Sequence, residues 1–195
     1  MNKTIILSAF FSLAMLLSSS VAQAKKSVVD YVSTLVGTQS SYALSTGNTY
    51  PAIALPWGMN FWMPQTGKMG DGWAYTYTAD KIRGFKQTHQ PSPWINDYGQ
   101  FSMMPTTGKR IFNEDERASW FSHKAEQATP YYYKVYLADY DITSEIAPTE
   151  RAAIFRFTFP KNDASNVVID AFDKGSEVTI IPSERKIIGY TTKNS

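Results

Sequence analysis

The sequence predicts a mainly β protein, an antiparallel β-sandwich with one short N-terminal helix and long ordered loops. The first observation lies in residues 153–159. Ala153, Phe155, Phe157 and Phe159 alternate with Ile154, Arg156 and Thr158, a period of two with one largely apolar face. The second is the recurrence of strand-length runs at 131–137, 143–147, 167–172, 177–181 and 186–191. Turn signals separate them at Pro130, Pro148, Pro160-Lys161-Asn162-Asp163, Lys174-Gly175 and Pro182-Ser183. The third is that helical spacing is good in one place alone. Many short strands at this interval point to a sandwich rather than to strand–helix–strand units.

Taken in order, residues 1–24 read as a secretory signal peptide. Lys3 supplies a positive start, residues 5–17 are apolar but too short to span a bilayer comfortably, and Ala22-Gln23-Ala24 is a small-x-small cleavage site. Residues 25–195 remain as one domain, predicted to be periplasmic or secreted, with no membrane attachment after cleavage. The helix is expected after Ser27, a capping residue, with Val28, Tyr31, Val32 and Leu35 at helical spacing and Gly37 as its stop. From 38 to about 108 the chain is rich in Gly, Pro, Asn, Ser and Thr and holds four of the five tryptophans. Short strands are expected there at 52–55, 59–63, 73–78 and 100–104, punctuated by prolines. The chain stops at Ser195 just after the last strand, the mark of a fragment.

Composition removes several functions. There are 19 Lys+Arg against 17 Asp+Glu, so no basic stripe for nucleic acid is expected. An apolar content of 43% excludes intrinsic disorder. The absence of cysteine removes disulfides, zinc thiolates, iron–sulfur clusters and thiol nucleophiles. Two histidines, His89 and His123, are too few for a multi-histidine metal site. No nucleophile elbow, phosphate loop, dinucleotide glycine run or EF-hand loop is present.

Residues 84–99 are the most unusual stretch. His89, Trp94, Asp97 and two prolines crowd into an expected ordered loop, and such loops carry sites. An imidazole and a carboxylate can bond sugar hydroxyls, and an indole can stack on a pyranose. The same residues also suit a turn-rich connection with Trp94 in the core and His89 on a carbonyl. Trp57, Trp62 and Trp73 sit among Gly and Asn, which fits a carbohydrate face and equally a packed core. Glycoside hydrolysis needs paired carboxylates. Of the acids, only Asp71 and Asp97 lie among aromatics. Asp170 and Asp173 flank a strand with nothing in the sequence to partner them. His123 reads as a surface or capping residue. No catalytic residue and no metal ligand is assigned.

The order of several motifs resembles the family-92 glycoside hydrolases, bacterial enzymes that are mostly α-mannosidases. The residues carrying it are Gly47-Asn48-Thr49-Tyr50-Pro51-Ala52, Leu55-Pro56-Trp57-Gly58-Met59, Ile82-Arg83-Gly84-Phe85, Thr88-His89, Asp97-Tyr98-Gly99 and Met104-Pro105-Thr106-Thr107-Gly108. Phe121-Ser122-His123, Tyr132-Tyr133, Thr149-Glu150-Arg151 and the 155–160 run follow in the same order. Lys86-Gln87 and the stretch from Gln90 to Trp94 depart from the Ser-His and Ser-Gly steps of many members, which marks a subgroup.

The resemblance implies an exported, calcium-dependent, inverting α-mannosidase of α-1,2 type acting on mannose-containing glycans. It implies an N-terminal sandwich packed on a C-terminal (α/α)₆ barrel, the barrel supplying the acid, the base and the calcium ion. This chain resembles only the sandwich, so by itself it is expected to be inactive. Its expected substrate-binding residues are His89, Trp94, Asp97, Trp73, Asn60 and Trp62. Two other readings stay open: a free-standing, non-catalytic carbohydrate-binding module, and a sandwich with no site. A severed domain is expected to expose a large apolar patch, and a free module is not.

Overall fold

The computed structural model describes residues 26–39, 49–67, 75–88, 101–171 and 175–191. The expected signal peptide lies outside them. The described chain is mainly β, with antiparallel sheets and a few 3₁₀ turns.

The second half folds as its alternation demands. Strand β6 (Gln127–Thr129), β7 (Tyr132–Leu137), β8 (Ile142–Pro148) and β9 (Ala153–Thr158) form a four-stranded antiparallel sheet in that order. Tyr133, Val135 and Leu137 turn inward opposite Ile146, Ser144 and Ile142, and Phe155 and Phe157 continue the row on β9. On the outer face Lys134, Glu145 and Arg156 stand opposite one another across three strands.

A second four-stranded antiparallel sheet has the order β1 (Phe61–Gln65), β3 (Gly84–Thr88), β4 (Phe101–Thr107), β10 (Ser165–Ala171). Its register places Pro64, Phe85, Met103 and Ile169 on one face. Lys86, Ser102 and Asp170 lie on the other. The first of these faces meets the inner face of the β6–β9 sheet in one core. Trp62 lies edge-on to Phe155 at 4.8 Å, and Phe85 lies near Tyr133 at 6.2 Å and Phe157 at 6.4 Å. Edge-to-face geometry brings the positive ring edge onto the negative ring face, beyond the gain from burial. Gly84 lets β3 and β4 close up, since a Cβ there would stand 2.2 Å from Ser102 Oγ.

A two-stranded ladder, β2 (Lys81–Ile82) with β5 (Ser119–Trp120), and a hairpin, β11 (Ser176–Ile181) with β12 (Lys186–Thr191), complete the strands. The hairpin faces the Gln87, Phe101, Met103, Ile169 and Ala171 side of the β1–β10 sheet across an open cleft. Val178, Ile180, Ile187, Ile188 and Tyr190 of the hairpin are exposed, as are Val167 and Ile169 of β10.

Arg117 fixes the opposite face. Its guanidinium is fully buried; Nη2 pairs with Asp170 of β10, Nη1 donates to the Phe112 carbonyl, and Nε donates to the Arg83 carbonyl at 3.2 Å. The Tyr140 hydroxyl donates to the Arg117 carbonyl at 3.0 Å. A desolvated charge is tolerated only when its donors are satisfied in this way.

Three expectations need correction. The N-terminal helix is a 3₁₀ turn, Val28–Tyr31, and Val32 is already extended. Val28, Tyr31 and Val32 are exposed and Leu35 alone packs, partly, against Tyr50, Met63 and Tyr75, and a short helix without a packed face is not stable. The expected strand at 52–55 shrinks to one bridge, Ile53 to Trp62. The described part of the expected strand at 73–78 forms none, while 84–88, read as the start of a loop, is a core strand. Strands β2, β5 and β6 are too short to show a period.

Replacing Arg117 by Ala strands the Asp170 carboxylate and two carbonyls. It is expected to cost about 3–5 kcal/mol, read as a lower midpoint of urea unfolding.

Candidate functional site

The turns decide where a site can lie. Thr88 at the end of β3 stands opposite Phe61 at the start of β1, and Gly84 stands opposite Gln65. The segment 89–100 therefore leaves from one end of this sheet. The segment 68–74 leaves from the other, roughly 13 Å away along β3. His89, Trp94, Asp97 and Trp73 fall in these two segments and lie outside the described residues. Their anchors are at opposite ends, which the linear sequence does not reveal.

Asn60 and Trp62 lie within the described residues, and both are buried. Trp62 Nε1 donates to Asn60 Oδ1 at 2.6 Å, and its ring packs between Phe101 and Phe155. Asn60 Nδ2 in turn donates to the Thr149 carbonyl at 3.4 Å. The pair is a polar brace within the core. It lies next to the turn at 55–58, which Pro56 and Gly58 mark in the sequence.

That turn belongs to a cluster. The Met59 amide donates to the Glu150 carbonyl at 2.7 Å, and the Ala54 amide to the Pro130 carbonyl at 3.0 Å. Three turns, at 55–58, 130–131 and 149–152, are thereby tied together beside the end of the sheet where β3 stops and β4 begins. Trp57, Glu150 and Arg151 are exposed there. Tyr131 is also exposed, and its hydroxyl bonds Asp30 at 2.6 Å.

At the far end the polar groups are bonded to one another. Arg83 pairs with Asp115 at 2.9 Å, and Gln65 Nε2 donates to Glu114 at 3.1 Å. His123 is not an isolated surface group. Its ring stacks on Tyr77 at 4.0 Å, Nε2 meets the Tyr77 carbonyl at 2.7 Å, and Nδ1 meets Glu126, which also accepts from the Tyr133 hydroxyl at 2.6 Å. Burial first, and then Glu126, push the Tyr133 hydroxyl well above the ordinary phenol range.

The described carboxylates mostly serve the fold. Asp170 meets Arg117, the partner that its surroundings in the sequence do not supply. Glu145 accepts from Arg156 Nε at 2.6 Å and Nη2 at 2.5 Å, and from the Tyr132 hydroxyl. Among the described residues no three His, Asp or Glu converge as metal ligands.

Two facing four-stranded antiparallel sheets and a cluster of tied turns define the class, a mainly β domain. The glycosyl hydrolase family 92 N-terminal domain matches residues 31–195, and the chain belongs to that family. It is similar to the family-92 inverting mannosidase of Bacteroides thetaiotaomicron VPI-5482. The two are 52% identical, with a TM-score of 0.81 over 88% of this chain and 24% of that one. A family-92 α-mannosidase of Bacteroides thetaiotaomicron is 32% identical with a TM-score of 0.67, over 75% of this chain and 20% of that one. An uncharacterized secreted glycosidase of Arthroderma benhamiae is 27% identical over 162 residues, 80% of this chain and 20% of that protein. The chain thus spans about a quarter or less of the length of these relatives.

The Arg156 bonds, and next the Tyr132 hydroxyl, hold the Glu145 carboxyl down to about 2 from its ordinary 4.5. A lowered folded-state value stabilises above the unfolded value, and that stability is lost as the carboxylate is protonated. Stability is therefore expected to fall between about pH 4.5 and pH 2. Glu145→Gln should weaken the fold at pH 7 and flatten this acid limb, seen in urea midpoints collected across that range.

Proposed function

We propose that this chain is the N-terminal β-sandwich of an exported, calcium-dependent, inverting α-mannosidase of α-1,2 type. Its sandwich packs on a C-terminal (α/α)₆ barrel, and its loops form one wall of the glycan pocket. The observation that carries the reading is the similarity, at 52% identity over 88% of the chain, to an enzyme described as an inverting mannosidase.

Inversion needs a general acid on the leaving oxygen and a general base that activates water on the opposite face of the sugar. Both are assigned to the barrel. This domain binds and orients. Aromatic faces at Trp73 and Trp94 stack on sugar rings, and His89 and Asp97 bond hydroxyls. Asn60 and Trp62 act from inside, holding the 55–58 turn in place. Calcium belongs to the complete enzyme, with ligands outside the residues described here.

The alternative is a free-standing carbohydrate-binding module. The exposed apolar row on β10 and the β11–β12 hairpin favours a domain joined to further structure, because a soluble module has no reason to keep it.

In the complete enzyme, Trp94→Ala is expected to raise KM or lower kcat at least tenfold, worth about 1.4 kcal/mol. Wild-type kinetics would remove Trp94 from the site. Chelation of calcium from the complete enzyme should abolish release of mannose from a synthetic mannoside, and added calcium should restore it. Activity that persists through chelation would remove calcium from the proposal.

A further inference from the structure

Among the described residues, Trp57 is the most exposed large apolar side chain, at 99%. Its backbone is also left-handed, with φ +63. The turn Leu55-Pro56-Trp57-Gly58 is closed by the Gly58 amide donating to the Leu55 carbonyl at 2.9 Å. Proline suits the second position of such a turn, and a positive φ at the third position is where Gly or Asn usually sits. A tryptophan there is disfavoured twice, by its Cβ in left-handed backbone and by its indole in water. Strain of this kind persists where the surroundings over-determine it, and it gathers at ligand clamps.

The surroundings do over-determine this turn. Glycine suits position 58, since a Cβ would stand 3.0 Å from the Leu55 carbonyl oxygen, a tighter contact than most side chains make. Met59 is tied to Glu150, Ala54 to Pro130 and Asn60 to Thr149, and Asn60 is braced by the buried Trp62 indole. The indole is thus presented from a rigid base and stands almost fully exposed. Beside it, on the turn that accepts from Met59, are the exposed charged residues Glu150 and Arg151. A fixed aromatic face next to charged hydrogen-bonding groups suits the apolar face and the hydroxyl rim of a hexopyranose.

We propose that Trp57 is a stacking platform for a hexopyranose ring of the bound glycan, with Glu150 and Arg151 serving the hydroxyls of the same ring. The proposal rests on the glycan-hydrolase reading above. It names a contact that none of the sequence-assigned site residues makes.

The test uses the complete enzyme and two variants, Trp57→Gly and Trp57→Phe, with α-1,2-mannobiose as substrate. Glycine fits φ +63 without strain, so the Gly variant should keep or raise the thermal midpoint. Its KM for mannobiose should rise at least tenfold, while the Phe variant stays within about threefold of wild type. An unchanged KM in an active Gly variant overturns the stacking role. So does a lowered thermal midpoint with unchanged KM, because the indole would then be packing on polypeptide. If wild type cleaves neither mannobiose nor a synthetic mannoside, the parent reading fails, and this inference fails with it.

Discussion

The buried Arg117 guanidinium is the constraint on which much else hangs. It reaches three separate stretches of chain, Arg83 before β3, Phe112 after β4 and Asp170 on β10. Its own carbonyl takes the Tyr140 hydroxyl from the connection between β7 and β8. One cation thereby ties the rear face of one sheet to the loop that joins two strands of the other. An apolar residue could fill the same volume, but it could not select which carbonyls converge. The charge supplies geometry more than net stability, because most of its attraction to Asp170 is offset by desolvation.

Against that rear anchor, the two sheets close on an aromatic core. Trp62, Phe85, Phe155 and Phe157 fill it, with Trp62 edge-on to Phe155, Phe85 tilted against Phe155 and stacked on Phe157. The Trp62 indole also reaches Asn60, so the core is connected by hydrogen bonds to the turn at 55–58 and onward to Thr149. Packing inside the domain and the posture of its surface loops are therefore one mechanical unit. The family to which the chain belongs is defined by this N-terminal domain.

Strands β7 to β12 were legible in the sequence because each has a clear alternating face or sits between strong turn signals, whereas β6 is too short to show a period. The β1–β10 sheet was legible in part. Gly84–Thr88 has glycine, lysine and glutamine where a strand normally shows apolar residues, and Lys86 is buried against that rule. The helix failed for the opposite reason: its spacing was right, but Val28, Tyr31 and Val32 stay exposed and only Leu35 meets a core cluster. Within the candidate site, Trp62 and Asn60 were found as a pair but given an outward role. Aromatic composition does not distinguish a ring that stacks on sugar from one that stacks on phenylalanine. Trp57 was read as fitting a carbohydrate face and equally a packed core, although Pro-Trp-Gly already carries the turn signal that exposes it.

The strand order carries a consequence for synthesis. Strand β10 belongs beside β4, yet the entire β6–β9 sheet is made between them. When β4 leaves the ribosome, its outer edge has no neighbour, and Arg117 follows it without an anion. Both wait until residues 165–171 emerge. The nascent chain must carry an open strand edge and an unmatched cation through that interval, and such edges are where chains stick to one another. Holding the chain unfolded until the late strand arrives is the safer course.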